Sequence, residues 1–540
     1  MPVAMQASGS ARMGTLSAIR PRIPLWTPLV LSLPAFFPLL WTALRAWRHG
    51  LIPTAFIQYD VPYYLANARQ HFTQGFHVTY GNPYAPYGTP AIYFQPHILL
   101  LGILQRIGLG PDLAWIAFHI AAVAFASIVA ARVYEHWVGW GTRARQIGLV
   151  CFFWGGGVLS ILGGVFGLFT HLTPARSFVL FDAGDGWWMF NFGRNLVIPT
   201  EAYYHGLFLL CILLLARRRF GWALAFAAVL CASHPFTGLS LVLILTAFSA
   251  LELLLSSGAA SLRFLIGSVA LAALHLAYYT LFLNRFADHR ALAAQWKLDW
   301  PYLFWTFAPA LYLVAIFAFV PLTRWKKLAA VAAEPRNRLC LVWFAVICAL
   351  THHDLVIAPR QPIHFAHGYD WIALFLLGAP AIIGAIERML AIRWRPAAAL
   401  AVACFVALFL SDNLFWFATF TDRTVQWQAF ALTPDQKDVL DWLAHHASSP
   451  AYVASSDQEI NYLTPTYTGL RAWRGHDFNT PHVALRQGEL DAAFSSGKPI
   501  RTSNPVFYIP RRNQRWTPPE GASRVYSNRT YEIIFLRSRS

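Results

Sequence analysis

Long apolar runs follow one another along the first 417 residues, separated by short polar stretches. Most are close to the length of about 20 residues that an apolar helix needs to cross a membrane. The run Phe220–Leu255 has room for two short spans, and His234-Pro235 near its middle favours a break there. The pattern predicts an α-helical polytopic membrane protein with about eleven transmembrane helices. The runs are Pro24–Trp47, Leu113–Val138, Ile147–Thr170, Pro199–Ala216, Phe220–Leu255, Leu262–Leu283, Tyr302–Leu322, Leu339–Ile357, Trp371–Ala391 and Pro396–Phe417.

The segment Ile92–Gly108 is apolar but short, and Pro96, His97 and Arg106 interrupt it. It fits either a further span or a helix that lies on the membrane surface. Basic residues collect in the cytoplasmic loops of membrane proteins. If the segment does not cross, the N-terminal arginines and Arg217–Arg219 fall on one side, whereas a crossing would separate them. We therefore predict eleven spans, a cytoplasmic N-terminus and a surface helix.

The C-terminal part of the chain has a different pattern. Thr433, Pro434 and Gln436 have the spacing of a helix start, with Thr as N-cap and Gln three residues later. Short strand-like pieces and a hairpin turn near Asn528 follow. We predict a cytoplasmic tail at 1–23, a transmembrane domain at 24–417 with an outer loop at 48–112, and a small extracytoplasmic α/β domain at 432–540. The strand-like pieces are Ala451–Ala454, Val506–Ile509, Arg524–Tyr526 and Tyr531–Leu536.

Composition supports the membrane assignment. Hydrophobic residues make up 57% of the chain and charged residues 12%, which excludes a soluble enzyme, a disordered chain and a disulfide-rich secreted scaffold. The net charge of +17 comes from 42 basic and 25 acidic residues. Because the basic residues are spread over short loops, they indicate membrane topology and no nucleic-acid partner.

The first candidate site is Asp60, which lies among aromatic residues soon after the first apolar run, with Tyr63 and Tyr64 close by. A carboxylate just outside the membrane can accept a proton from a sugar hydroxyl or hold a metal ion. Asp60 also fits the N-cap of a helix that starts near Pro62. The residues leave both interpretations open.

The second candidate site joins an outer loop to a span. Asp182 and Asp185 lie in a Gly-rich stretch that suits a divalent metal ion or a pair of sugar hydroxyls, although turn-forming Asp-Gly has the same pattern. Glu201 and His205 are four residues apart on one helix face, just inside a span. Ionisable groups in that position are costly and usually functional.

Two further stretches carry polar clusters. Arg360, His364 and His367 lie near the outer interface and suit a phosphate or pyrophosphate group; zinc binding and a polar interfacial loop are the alternatives. The stretch 467–481, which contains His476, could line an acceptor site or form a strand and loop of the C-terminal domain.

The layout resembles the GT-C superfamily of lipid-sugar-dependent glycosyltransferases, which includes protein O-mannosyltransferases and the aminoarabinose transferase of lipid A. Asp60 stands where the superfamily carries its first-loop acidic residue, and 90–108 resembles its membrane-surface helix. Asp182 and Asp185 stand where some members carry a second acidic motif. Two departures are a single Asp in the first loop instead of an acidic pair, and the lack of a Trp-Trp-Asp motif in the tail.

The resemblance implies an inverting transfer of a sugar from a polyprenyl-phosphate donor to a cell-envelope acceptor (glycan, lipid or protein). The reaction would take place on the extracytoplasmic face of a bacterial inner membrane, with Asp60 as general base. Mg²⁺ or Mn²⁺ at Asp60, Asp182 and Asp185 is compatible with this expectation. The alternatives are a transporter or lipid flippase, or a non-catalytic envelope-assembly protein. The expected substrate-binding residues are Tyr63, Tyr64, Asp182, Asp185, Glu201, His205, Arg360, His364 and His367.

Overall fold

The computed structural model describes residues 22–73, 75–170, 172–178, 180–182, 190–256, 259–295, 304–323, 325–423 and 431–537. Helices dominate up to residue 423, and a mixed sheet with helices follows. The helices of the first part are Trp26–Leu31, Phe37–Arg48, Val61–Gln70, Pro96–Arg106, Pro111–Trp137, Arg143–Trp154, Leu159–Gly167, Pro174–Phe178, Phe192–Leu196, Pro199–Ala216, Phe220–Ser233, Pro235–Ser256, Ala259–Leu276, Ala287–Gln295, Phe304–Phe319, Trp325–Ala333, Pro335–Thr351, Tyr369–Leu390 and Arg395–Arg423.

Seven helices among the described residues are long and apolar enough to cross a membrane, or eight if one bent pair counts as a single span. The predicted polytopic helical architecture is therefore confirmed. The seven are Trp26–Arg48, Pro111–Trp137, Pro199–Ala216, Pro235–Leu255, Ser261–Arg285, Tyr369–Leu390 and Arg395–Phe420.

The remaining predicted spans fall on shorter or broken helices. The helices Phe220–Ser233 and Ala308–Leu322 are apolar but shorter, and Pro335–Thr351 has 17 residues. The predicted break at His234 is present, since this residue has an extended backbone. The cause is Pro235, because the residue before a proline is disfavoured in helical conformation. If the bent pair counts as one span, the eight full-length candidates and these three shorter helices together make eleven.

The bent pair, Arg143–Trp154 and Leu159–Gly167, turns by 71° inside the bundle. Such a break leaves backbone N–H groups that water cannot satisfy in a membrane. Asp412 accepts two of them, from Gly157 N at 2.7 Å and Ser160 N at 2.9 Å. This carboxylate therefore stabilises the broken helix.

The C-terminal domain is a five-stranded sheet covered by helices. Its strands are β3 (Tyr452–Ser455), β4 (Arg471–Ala472), β5 (Val506–Ile509), β6 (Ser523–Ser527) and β7 (Glu532–Leu536), in the order β4-β3-β5-β7-β6. Strand β3 is parallel to β4 and β5, and the other pairs are antiparallel. The helices are Pro434–His446, Gln458–Tyr467 and Val483–Ser496.

Local signals in this domain predict its elements well. The capping box is present: Thr433 Oγ1 accepts from Gln436 N at 3.1 Å, and Gln436 Oε1 accepts from Thr433 N at 2.9 Å. The strand over Val506–Ile509 has the predicted bounds, and the hairpin turns through Asn528. The short strand Arg471–Ala472 lies in the stretch 467–481, for which a strand and loop was one of the two predicted interpretations.

A two-stranded ribbon ties the two ends of the membrane domain together. Strands β1 (Ile52–Pro53) and β2 (Ala431–Leu432) are antiparallel partners. Since both belong to one ribbon, the chain between them crosses the membrane an even number of times. The ten predicted spans in this interval satisfy that condition, and an additional crossing at Pro96–Arg106 would not. That helix has 11 residues and a length of about 16 Å, roughly half the hydrocarbon thickness.

Candidate functional site

Asp60 lies where the first outer loop meets the C-terminal domain. It occupies the N-cap position of the helix Val61–Gln70, but its side chain makes no capping hydrogen bond. Its carboxylate instead accepts from His476 Nε2 at 3.1 Å and from Gln58 Nε2 at 3.4 Å. The side chain is 37% exposed. Asp60 therefore keeps an accessible carboxylate, which the capping interpretation did not predict.

His476 belongs to the stretch 467–481, for which the sequence left open a place at an acceptor site or in a strand and loop of the C-terminal domain. Its side chain is fully buried, and its Nδ1 accepts the backbone N–H of Phe478 at 3.0 Å and of Asn479 at 3.3 Å. A ring nitrogen that accepts has no proton, so the proton lies on Nε2. His476 thus donates to Asp60 Oδ1 and orients the carboxylate.

Tyrosine rings surround His476 and form a wall beside Asp60. The Tyr59 hydroxyl donates to Asp477 Oδ2 at 2.9 Å, which fixes that ring against His476. Burial, and then the charge of Asp60, raise the pKa of Tyr63 to about 12, so its hydroxyl is neutral at physiological pH. Flat aromatic faces next to one carboxylate suit a ligand with apolar faces and hydroxyl edges. Tyr84 and Tyr462 also contact His476, but they are buried behind this wall.

Tyr64 lies between Asp60 and a second polar cluster. Its ring stacks on Trp115 with centroids 6.2 Å apart. Burial is the main reason that the pKa of Tyr64 is raised, and the negative charges of Asp60 and Glu201 raise it further. Since both carboxylates act on this hydroxyl, the first and second predicted sites both lie near Tyr64.

The second cluster is a chain of three buried or half-buried side chains, Glu201, His367 and His364. His367 Nδ1 lies 2.7 Å from Glu201 Oε2, and His367 Nε2 lies 3.3 Å from His364 Nδ1. Burial is the main reason that the pKa of both histidines falls to about 3, so both are neutral at physiological pH. The chain runs from Glu201, near the start of a span, to His364, which is half-buried.

His205 lies one turn after Glu201 on the helix Pro199–Ala216, as the spacing indicates. Its Nδ1 lies 2.9 Å from the carbonyl oxygen of Glu201, and its Nε2 lies 2.9 Å from that of His367. Asn195 Nδ2 donates to the same His367 carbonyl at 3.1 Å. His367 has a φ of 42°, a strained conformation that these contacts hold in place. Because the main chain occupies both ring nitrogens, His205 positions the His367 loop and is not placed to contact a substrate.

Three helices begin around this histidine cluster. They are Pro199–Ala216, Pro235–Ser256 and Tyr369–Leu390. Their first turns contact the histidines. The ring of Phe236 stacks on that of His364 with centroids 5.1 Å apart, and the ring centroids of His234 and His367 are 5.7 Å apart. Helix N-termini present free N–H groups and favour anions. The cluster is therefore a polar region suited to a negatively charged ligand.

Arg360 lies in the exposed loop that precedes His364. Its backbone N–H donates to His353 Nε2 at 2.9 Å. Within the described ranges its guanidinium makes no hydrogen bond or ion pair, and the structure does not bring it into contact with His364 or His367. The predicted grouping of these three residues is thus seen only for the two histidines.

Asp182 is part of a buried ion pair. Arg194 donates to both of its carboxylate oxygens, at 2.8 and 2.9 Å, and both side chains are almost fully buried. Arg194 also donates to Asn413 Oδ1 at 2.8 Å. This corrects the expectation that Asp182 binds sugar or metal, because its oxygens already hold the outer loop to the bundle. The predicted Asp185 lies outside the described residues.

The residues at Asp60 do not fit a divalent-cation site. Mg²⁺ needs near-octahedral oxygen coordination, whereas Asp60 is a single carboxylate whose neighbour His476 presents an N–H donor. Nowhere in the described part of the chain do three or more His, Cys, Asp or Glu side chains form a group that could hold a metal ion. The chemistry proposed below therefore uses only the side chains of this chain.

Comparison with known proteins gives a structural likeness and no sequence match. No family model matches the chain, and no curated protein matches it. Among solved structures it is similar to ArnT from Cupriavidus metallidurans in the apo state, with 13% sequence identity and a TM-score of 0.48. The match covers 92% of this chain and 97% of that chain.

Proposed function

We propose that this protein is a membrane glycosyltransferase that moves a sugar from a polyprenyl-phosphate donor to a hydroxyl group of a cell-envelope acceptor. The observation that carries the proposal is the accessible Asp60 carboxylate, held by His476 at the junction of the membrane and C-terminal domains. A general base needs this combination of access and fixed orientation. With a cytoplasmic N-terminus, the junction lies on the extracytoplasmic face.

Asp60 acts as the base in a single displacement. Its Oδ1 is occupied by the His476 N–H, and its Oδ2 is 3.4 Å from Gln58 Nε2, which leaves lone pairs for the acceptor hydroxyl. The acceptor oxygen bonds to the anomeric carbon as its proton passes to Asp60. The bond from that carbon to the donor phosphate oxygen breaks, and the phosphate leaves with the electron pair. One displacement inverts the anomeric configuration.

The leaving phosphate is stabilised by the histidine cluster. Three helix N-termini and the half-buried His364 face this region, and negative charge develops there as the bond breaks. Burial keeps His364 and His367 neutral in the absence of an anion. An incoming phosphate favours the imidazolium, so donor binding takes up a proton at this cluster.

Tyr64 joins the two halves of the reaction. It lies within the electrostatic influence of both Asp60 and Glu201, and in this proposal the sugar ring is transferred beside it. The donor phosphate then lies toward Glu201 and His364, and the acceptor lies toward Asp60. This arrangement separates the base from the leaving group, as an inverting displacement requires.

The direct test is a turnover assay with purified protein in nanodiscs. A panel of polyprenyl-phosphate sugars is supplied with an envelope extract as acceptor, in EDTA and in Mg²⁺, and free polyprenyl phosphate is measured. We expect release in both buffers, because the Asp60 site uses an N–H donor in place of a cation.

The decisive comparison is Asp60→Asn against Asp438→Asn, a matched change at an exposed carboxylate of the C-terminal domain. Asp60→Asn should lower the transfer rate by about 10²- to 10⁴-fold, which is the usual contribution of a general base to the rate. Asp438→Asn should leave the transfer rate unchanged. A folded Asp60→Asn protein with full activity would contradict the assignment. Donor binding without release from any donor would favour the transporter, flippase or assembly alternatives.

A further inference from the structure

A cavity of about 350 Å³ lies beside the Asp60 site, between the first outer loop and the helix Ala287–Gln295. Its lining includes Asn82, Tyr87, Tyr93 and Asp288. We propose that this cavity binds a neutral saccharide. The assignment of this saccharide to the acceptor rests on the proposed function. The binding of a neutral saccharide does not, because it is argued from the residues that line the cavity.

The aromatic wall of the cavity is held rigidly. The Arg471 guanidinium lies 4.7 Å from the centre of the Tyr87 ring and donates to the carbonyl oxygen of Ala85 at 2.8 Å. The Tyr87 hydroxyl donates to the carbonyl oxygen of Ala451 at 2.8 Å. A binding site needs such fixed surfaces, because each side chain that must be ordered on binding lowers the affinity. The flat ring faces match the C–H faces of a sugar ring.

The polar edge of the cavity comes from one helix turn. Asp288 lies in the first turn of Ala287–Gln295, and its carboxylate makes no hydrogen bond or ion pair with a residue in the described ranges. His289 Nδ1 lies 3.1 Å from the Tyr93 hydroxyl, and burial lowers the pKa of His289. A free carboxylate beside a neutral imidazole accepts hydroxyl protons and repels acidic groups. The edge therefore selects neutral sugars against uronic acids.

The cavity wall connects to Asp60 through hydrogen bonds. Asn82 Nδ2 donates to the carbonyl oxygen of Asn479 at 2.7 Å, and Asn479 N donates to His476 Nδ1 at 3.3 Å. His476 then donates to Asp60. Two residues, Asn479 and His476, thus link the cavity lining to the base. A saccharide of two or three units that is anchored in the cavity can extend a hydroxyl toward Asp60.

The test uses the full chain in nanodiscs and three probes: maltotriose, N,N′,N″-triacetylchitotriose and trigalacturonate. Saturation-transfer difference NMR gives the Kd of each. At least one neutral trisaccharide should bind, and trigalacturonate should not. Asp288→Asn and Tyr93→Ala should each weaken that binding by about tenfold, the effect of losing one charge-assisted hydrogen bond or one stacking contact. Tyr93→Phe, which keeps the ring, should bind more tightly than Tyr93→Ala.

Asp491→Asn is the matched control, because Asp491 lines a separate cavity of about 420 Å³ in the C-terminal domain and already accepts from Gln487 at 2.8 Å. The proposal is overturned if no neutral trisaccharide binds, or if binding survives both cavity variants and is lost in Asp491→Asn. The Asp60→Asn protein should still bind the saccharide. If the wild type binds the saccharide but transfers no sugar, only the proposed function is contradicted. If sugar transfer is unaffected by the cavity variants, only the assignment of the saccharide to the acceptor is contradicted.

Discussion

His476 Nε2 lies 3.1 Å from Asp60 Oδ1, although 416 residues separate the two in sequence. The first outer loop supplies the carboxylate, and the C-terminal domain supplies the N–H that orients it. Two backbone N–H groups fix the tautomer of His476, so this orientation is built into the folded chain. The candidate base is therefore shared between the two domains.

His476→Ala should lower kcat by about 10- to 100-fold with a smaller change in KM, because Asp60 loses its orienting donor but substrate contacts remain. His476→Gln, which retains a side-chain N–H, should recover part of the activity. Steady-state kinetics of the two variants measures both effects. Unchanged kcat in a folded His476→Ala protein would show that the contact is only structural.

His364→Gln should lower kcat by about 10²-fold, because a donor to the leaving phosphate is lost. The same variant should abolish the proton uptake that we expect when the donor binds near pH 6, since burial holds the pKa of His364 at about 3 until an anion arrives. Calorimetry of donor binding in buffers of different ionisation enthalpy measures that uptake. His352→Gln is a control in the same loop, because its ring contacts the Cys348 carbonyl. Equal proton uptake by the wild type and His364→Gln would be inconsistent with this role.

Asp182→Asn should destabilise the protein by about 3 kcal/mol or more, because it leaves the buried Arg194 without its bidentate partner. The effect should be the same in EDTA and in Mg²⁺, since the carboxylate holds an arginine and not a cation. Thermal unfolding in detergent measures it. Asp354→Asn, at an exposed carboxylate, should leave the unfolding temperature unchanged. A stable Asp182→Asn protein with a changed cation dependence would restore the metal-binding interpretation.

Glu459→Gln should stabilise the C-terminal domain at alkaline pH. Burial, and then the charge of Asp457, raise the pKa of Glu459 from 4.5 to about 7. Between these values the folded chain binds more protons than the unfolded chain, so stability falls as the pH rises from 4.5 to 7. The variant removes this loss. Amide hydrogen exchange of the helix Gln458–Tyr467 should be slower in Glu459→Gln than in the wild type near pH 8, and equal near pH 4. Glu520→Gln, a control at an exposed site, should exchange at the wild-type rate at both pH values.

The parts of the fold that local physics decides could be predicted. The span Pro199–Ala216 and the strand Val506–Ile509 have the bounds that their apolar runs indicate. The capping box at Thr433 also needs only four consecutive residues. These features depend on spacing along the chain, which the sequence contains directly.

The site could be predicted only in part, because its decisive contacts are not local. The helix start at Asp60 is real, but the direction of its carboxylate depends on His476 in another domain. Asp182 and Asp60 are both acidic residues of outer loops, yet only Asp182 meets an arginine that neutralises it. Which carboxylate remains accessible is decided by packing between segments distant in sequence, and residue type alone does not carry that information.

The ribbon between Ile52 and Leu432 has a consequence for how the protein is made. Ribosomal synthesis delivers Asp60 early and His476 only after all the predicted spans have been threaded into the membrane. The candidate base is therefore assembled last, once the C-terminal domain lies on the same side of the membrane as Ile52 and the strand at Leu432 has paired there. A nascent or truncated chain has Asp60 without its orienting partner, so we expect the proposed activity only in molecules whose insertion is complete.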